Sequence, residues 1–493
     1  MSFSTPDGAE ERRIHPAGML LAALGTVRRW IGLAAFPGIA ALFNGQFGMQ
    51  TLFLVLLAAA LLALLSAVWG VLSWRATTYR VAGGALHLKR GVIQKSERSL
   101  PLDRIQSVDT VRGVVQRLFG VIEVRIEAAG GGGEPEISLP ALSRSAVQTL
   151  REELTSGRRA SPKIPEEPAP TVLRRLSVRD LFLAGLTSGQ IGIAASVVFG
   201  AWQTVNELLP SNLVERVSES ILPRAFSTAL LFVFAVVLFA WALAVLGTVL
   251  AHAGFTLSRS ADGKYLYIMR GLLERHEATI PLARIQAIKA VEGVLRQPFG
   301  LAMLRVESAG YGTEEGVSTI LFPLLPRKEV EELLRLAVPQ FATSLDNLEP
   351  LPLRARRRYA FRAALPVLLI SALAVFFFFW GLFAFLFVLP AALYGLFRYH
   401  VAGYGLDGDQ LILRFRRLAR TTVIVPRGRL QSRGYSVSPF QKRLGLATFE
   451  IEVASGSGGA AFRLADVGAE AAEGLIEELS DRSGRLSAQG SST

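Results

Sequence analysis

Arginine and glutamine flank an aliphatic residue three times in this chain. Arg104-Ile105-Gln106 returns as Arg284-Ile285-Gln286 and, with one aliphatic exchange, as Arg429-Leu430-Gln431. A guanidinium and a carboxamide together present several donors and one acceptor, a set suited to a lipid headgroup or a peptide. On a strand these side chains alternate, so the aliphatic one turns inward while arginine and glutamine share the other face. The competing reading is structural: the glutamine bonds loop backbone near the Phe119-Gly120 turn and holds the shape of the unit. Presence in every copy favours the structural reading, because fold-defining residues must recur and sites need not.

A carboxylate keeps the same register. Glu127, Glu307 and Glu452 each follow the phrase by more than twenty residues, just beyond Phe119-Gly120, Phe299-Gly300 and Leu444-Gly445. No second acid or histidine recurs at a fixed distance from them, so general acid–base work lacks its second group. Pairing with the arginine of the phrase is the expected role. Gly130-Gly131-Gly132-Gly133 lacks the Gly-Lys-Ser/Thr of a phosphate loop and is followed by Glu134 and Glu136, so it reads as a hairpin loop. His15, His87, His252, His276 and His400 have no ligand spacing, and there is no cysteine. Neither a metal nor another cofactor is expected, and no catalytic residues are assigned.

The third copy carries a basic stretch. Nine Lys and Arg and no acid lie between Gln410 and Phe449. Within it, Arg414, Arg416, Arg417 and Arg420 are candidate contacts for anionic lipid headgroups, each worth about 1 kcal/mol near a charged leaflet. The formal net charge of the whole chain is +13. Basic flanks on a membrane protein account for that charge without nucleic acid, which is not expected as a partner.

These residues need elements to hold them. The phrase moves by 180 residues from the first copy to the second and by a further 145 to the third, and the Phe-Gly or Leu-Gly turn and the glutamate move with it. The chain therefore contains one unit three times. From Tyr79 onward apolar residues alternate at period two, with Gly83-Gly84 as a turn, and Val147, Leu150 and Leu154 then follow at helical spacing. Each unit is predicted to be a bent antiparallel sheet closed by a C-terminal amphipathic helix. In the second unit Val330, Leu333, Leu334 and Ala337 mark the helix face, and in the third a helix is predicted over Asp466 to Leu479.

Apolar pairs precede the units. Thr51 to Ser73 is an uncharged run long enough to span a bilayer. Further spans are predicted over Trp30 to Phe43, Leu181 to Val205 and Ala225 to Ala251, with a compressed pair between Ala363 and Phe397. His15 to Val27 is expected to be an interfacial lead-in. Three such hairpins leave only Arg216 and Arg224 of the 53 Lys and Arg on the far side, which places both termini and all three units in the cytoplasm. The expected divisions are a tail over 1–16, hairpins over 17–74, 179–252 and 359–398, and units over 75–155, 253–338 and 399–482. A proline-rich linker over 156–178, a second linker over 339–358 and a disordered tail over 483–493 complete the chain.

Gly91, Arg104-Ile105-Gln106, Arg117-Leu118-Phe119-Gly120 and Glu127-Ala128-Ala129-Gly130 form a pattern just after a hairpin. Gly271, Arg284-Ile285-Gln286, Pro298-Phe299-Gly300 and Glu307-Ser308-Ala309-Gly310 repeat it. The pattern resembles the YdbS/YdbT-like bacterial pleckstrin-homology (PH) domains, and three such units resemble the three-domain YdbT-like members. The third copy departs from it at Arg416, Leu430, Leu444 and Ser455. The resemblance implies an α+β protein of the bacterial cytoplasmic (inner) membrane, with PH-like barrels on transmembrane hairpins. It also implies a part in envelope stress or resistance to membrane-active peptides, with a one-domain paralogue as partner; a homo-oligomer is the other partner expected. The resulting expectation is a non-enzymatic scaffold at the lipid bilayer. Lipid binding or handling by the barrels or hairpins is the alternative.

Overall fold

The computed structural model describes residues 11–27, 49–128, 136–156, 170–187, 196, 200, 225–308, 320–377, 379–455 and 459–489. Three units follow one plan. In the first, β2 (Thr78–Ala82), β3 (Ala85–Arg90) and β4 (Ser96–Pro101) form a meander, preceded at its edge by the short β1 (Arg12–Arg13). The 3-10 turn Leu102–Arg104 leads into β5 (Ile105–Arg112), the helix Val114–Leu118, β6 (Val121–Ala128) and β7 (Ile137–Ser143). The helix Arg144–Ser156 closes the unit with Val147, Leu150 and Leu154 buried, as their spacing requires.

The second unit repeats this with β9 (Thr256–Arg259), β10 (Tyr265–Arg270), β11 (Arg275–Pro281), β12 (Ile285–Glu292), β13 (Leu301–Ser308), β14 (Ile320–Pro326) and the helix Val330–Ala337. The third has β16 (Gly403–Asp407), β17 (Gln410–Arg416), β18 (Arg420–Pro426), β19 (Leu430–Ser436), β20 (Leu446–Val453) and β21 (Ala460–Gly468). Its final helix runs from Ala469 to Gln489, beginning after Asp466 and continuing into the segment expected to be a disordered tail. One glycine and no proline fall in that extension, so nothing in it forbids a helix.

The strands do not close into separate sheets, as three independent units would. One sheet has the order β7-β6-β5-β11-β10-β9-β8, with β8 being Thr171–Arg175, and joins half of the first unit to half of the second. Another, β14-β13-β12-β18-β17-β16-β15, with β15 being Glu349–Pro350, joins the second unit to the third. The core continues across the seam: Ile424 of β18 packs in the core of the second unit, and Ala287 of β12 packs in that of the third. Period-two patterning assigns each strand an inner face but says nothing about which edge it meets. The sharing therefore leaves no mark in the sequence.

The expected tail and linkers also contribute structure. β1, β8 and β15 come from those segments and extend β2, β9 and β16 respectively. Ile14 is buried in the first core, and Phe341, Leu345, Leu351 and Ala355 are buried between Pro339 and Arg358. Short strands pairing through backbone tolerate prolines and charges at a sheet edge, and composition alone reads such segments as linkers.

Among the described residues, four helices are long and apolar enough to cross a membrane: Leu57–Arg75, Phe234–His252, Leu353–Phe377 and Gly381–Val401. The helix Ala17–Val27 packs on Met49–Arg75 so closely that a Cβ on Gly70 would lie 2.4 Å from the Met19 carbonyl oxygen. Leu353–Phe377 and Val388–Val401 meet in the same way at Gly395, against Tyr359. The predicted span Trp30 to Phe43, most of Leu181 to Val205, and the loop bearing Arg216 and Arg224 lie outside the described residues.

Candidate membrane-facing site

The repeated phrase sits where one sheet hands the chain to the next. Ile105 and Ile285 are buried and Leu430 is half-buried, the inward position expected of them. Gln286 is buried, and its Nε2 donates to the Arg284 carbonyl at 3.0 Å; the Ser308 hydroxyl donates to the same oxygen at 3.3 Å. The glutamine therefore satisfies backbone of its own phrase and not the Phe299-Gly300 turn. Gln431 is exposed, as is Arg104, whereas Arg284 and Arg429 are half-buried. The Gln106 side chain lies outside the described ones.

Glu307 and Glu452 pair with side chains other than the arginines of the phrase. Glu307 faces Ala287 across the ladder, and its carboxylate pairs with the Lys289 ammonium two residues along and accepts from Ser455 at 3.4 Å. Glu452 lies opposite Ser432 and accepts from its hydroxyl at 2.8 Å. Cross-strand register decides this, because direct and diagonal neighbours on one face are the side chains within reach. Glu127 lies opposite Ser107 in the same backbone register, with its side chain outside the described ones.

Gly120, Gly300 and Gly445 have φ of 67°, 59° and 58°, values that explain the glycine in all three turns. The preceding aromatic does not enter the core. Phe299 is 71% exposed and Leu118 is 79% exposed, and Phe119, Leu444 and Phe440 stand out in the same way. A second apolar tip lies nearby in each unit, on the loop after the middle meander strand: Ile93 (86% exposed), Leu272 with Leu273, and Leu418 (70% exposed).

In the second and third units these tips lie at the end that adjoins the apolar helices. The Leu272 amide donates to the Leu250 carbonyl at 2.9 Å and the Gly271 amide to the Ala253 carbonyl at 2.8 Å, at the end of the apolar helix Phe234–His252. In the third unit the Arg398 Nε donates to the Arg416 carbonyl at 2.9 Å. The opposite end of the meander, the turn at Asp262-Gly263, is one strand length away, about 20 Å for six residues. Arg117 Nη1 reaches across to the Leu272 carbonyl, so the tips of neighbouring units adjoin.

One further position ties the short turn to the helices below, and the sequence reading passed over it. Gln116, Arg296 and Gln441 each precede the turn glycine by four residues. Arg296 is buried and donates to the Pro323 carbonyl at 3.1 Å, to the Thr187 hydroxyl at 3.2 Å and to the Ala184 carbonyl at 3.5 Å. Burial lowers its pKa to about 10, so it remains a cation at neutral pH. Gln441 donates to Asp466 Oδ1 at 2.9 Å; that fully buried carboxylate also accepts from Arg358 at 3.0 Å and Arg362 at 3.4 Å. Gln116 lines a cavity with Ile14, Trp74 and Thr77 where the first unit meets its helices. A long polar side chain in the same column of all three copies, four residues before the turn glycine, was the available signal.

The four candidate lipid-binding arginines have different surroundings. Arg420 forms a two-point pair with Glu292 of the second unit, through Nε at 2.8 Å and through Nη2. Arg416 is buried over the Phe397 ring, 4.1 Å from its centre, and donates to Gln297. Arg414 donates to the Thr422 hydroxyl at 3.0 Å and to the Leu345 carbonyl, and burial lowers its pKa to about 10. Arg417 is exposed beside Leu418. Three of the four thus line the seam between units and one stands on the membrane-side tip.

Known proteins bear on this architecture. The family described as "Bacterial PH domain" matches three times, at residues 25–158, 212–338 and 362–483. The chain is 31% identical over 495 residues to "UPF0699 transmembrane protein YdbT" of Bacillus subtilis (strain 168), covering 95% of this chain and 98% of that protein. No solved structure matches. With its apolar helices and three matched units, the chain is a membrane protein that belongs to the bacterial PH domain family.

Proposed function

We propose that this protein is a non-enzymatic scaffold anchored in the bacterial cytoplasmic membrane by three hairpins, with both termini and all three PH-like units on the cytoplasmic side. The units act as one array whose lower rim sits among the lipid headgroups. The observation that carries this reading is the recurrence, in each unit, of exposed apolar tips, which in the second and third units adjoin the ends of the apolar helices. Exposed Leu, Ile and Phe in a contiguous row need a covering, and the interfacial layer supplies one. Arg417, beside the Leu418 tip, suits the anionic headgroups of that layer. The family resemblance supports a role in envelope stress or resistance to membrane-active peptides, with a one-domain paralogue or further copies as partners.

The absence of cysteine makes a site-specific test direct. Single variants Leu273→Cys, Phe299→Cys and Leu418→Cys, carrying an environment-sensitive dye, are reconstituted in bilayers containing anionic lipid. Each dye should be quenched by lipids with a quencher in the headgroup region, whereas a dye at Lys264→Cys, at the far turn, should not. Equal quenching at both ends, or none at the tips, refutes the rim.

Lipid handling remains the second reading, on one observation. A half-open cavity of about 290 Å³ lies between Ile14, Gly18, Leu21, Ser73, Trp74 and Gln116, beside the helices of the first unit. Its mixed lining suits part of a lipid more than a whole two-chain molecule.

A further inference from the structure

The two seams between units are copies of one junction. Arg112 lies opposite Arg275 where β5 meets β11, and Glu292 lies opposite Arg420 where β12 meets β18. Glu292 is 180 residues after Arg112, and Arg420 is 145 after Arg275. Those are the repeat offsets, so both seams use one register to the residue. Each joins the first strand of one unit's second half to the last meander strand of the next unit.

Two strands with these roles are left over. β4 ends the order β1-β2-β3-β4, and β19 ends the order β19-β20-β21. β4 is the counterpart of β11 and β18, and β19 is the counterpart of β5 and β12. Glu97, Arg98 and Ser99 of β4 are exposed, as are Gln431, Ser432, Tyr435 and Ser436 of β19. The other terminal strands, β1, β7, β8, β14, β15 and β21, hold edge positions in every unit, so among the described residues these two edges are the ones without a pairing that their counterparts make.

We propose that β19 of one copy pairs with β4 of a second copy of this chain, adding a third seam identical in register to the other two. Transferring the register sets Ser436 opposite Ser96, Gly434 opposite Arg98 and Arg433 opposite Ser99. Lys442, exposed on the short helix Pro439–Lys442, stands in the place of Arg117, and Val92 stands in the place of Leu272, whose carbonyl Arg117 reaches. Charges on β4 are a usual protection of free edges. They are no bar here, because β11 carries Arg275, His276 and Glu277 at the same positions and pairs through them. The contact is head-to-tail, since β4 and β19 are different surfaces, and its repetition closes a ring or extends a row. It stands on strand pairing alone. Only the placement of both copies in one bilayer rests on the scaffold reading.

The test uses full-length protein carrying Ser96→Cys with one affinity tag and Ser436→Cys with another, co-expressed and oxidised both in membranes and after detergent purification. Directly opposed residues on an antiparallel ladder have Cα atoms about 4.5–5.5 Å apart, within the Cα range that a disulfide spans. A heterodimer containing both tags is expected, with its yield falling to background when Glu97→Cys replaces Ser96→Cys. Monomer only, Ser96–Ser96 or Ser436–Ser436 homodimers in place of the mixed one, or equal linking by Glu97→Cys would each overturn the proposal. Linking only to a different protein would assign the edge to that partner and overturn it as well. Failure of the dye experiment leaves this result in detergent untouched, so the two proposals fall separately.

Discussion

Asp466 concentrates much of what the third unit requires of one side chain. It is fully buried, has φ of 62°, and receives hydrogen bonds from Arg358, Arg362 and Gln441. Aspartate is among the few residues that tolerate that backbone region, and two guanidinium groups offset the burial of its charge. Asp466→Ala should cost about 2–3 kcal/mol, because it removes the acceptor that Arg358, Arg362 and Gln441 share, with Gln441 keeping the Thr448 hydroxyl. Asp466→Asn keeps the backbone preference and a hydrogen-bonding oxygen, so it should lose less. Thermal unfolding of the full chain in detergent checks the order; equal midpoints for the two variants would show that the oxygen kept by Asn recovers nothing and that the charge carries the effect. Arg296 performs the matching task in the second unit with backbone carbonyls and one hydroxyl in place of a carboxylate. The position is shared while its chemistry differs.

Strand pairing, and not the unit boundary, defines what moves together. β12 and β18 are held by ladder bonds and by Glu292, which is buried and grips Arg420 while Arg327 lies 3.9 Å away. Arg420→Ala leaves that carboxylate with the weaker partner alone and should destabilise the protein by about 3 kcal/mol. Arg417→Ala, three residues earlier and exposed, should change stability by no more than about 0.5 kcal/mol. Denaturant titration of both variants measures this, and similar losses would mean that the seam pair contributes nothing specific. A unit excised at its sequence boundaries loses β-partners at one or both edges, so binding or stability measured on it alone would report on an exposed seam.

At the level of the entire chain, orientation is the first thing to establish. Reporters fused after Leu154, after Val338 and at the C-terminus should behave as cytoplasmic, and a tag at Ser211-Asn212 as external; a protected tag there would overturn the three-hairpin arrangement. Much of the plan is legible without coordinates. Register-locked recurrence of Arg-Ile-Gln, Phe-Gly and Glu announces three units, because turns needing positive φ and inward aliphatics leave fixed residue types at fixed distances. Long uncharged runs announce helices able to cross a membrane, because the bilayer admits little else. The partners of these marks are not legible. Glu307 was expected to meet arginine and meets Lys289, and Arg414, Arg416, Arg417 and Arg420 look alike in sequence yet divide between a buried seam and an exposed tip. The same limit hid the shared sheets and the strands inside the apparent tail and linkers. Local pattern reports the environment of a residue along its own strand. Edge-to-edge pairing runs through backbone groups that every residue carries, so only the folded chain reveals which edges meet and which two remain open.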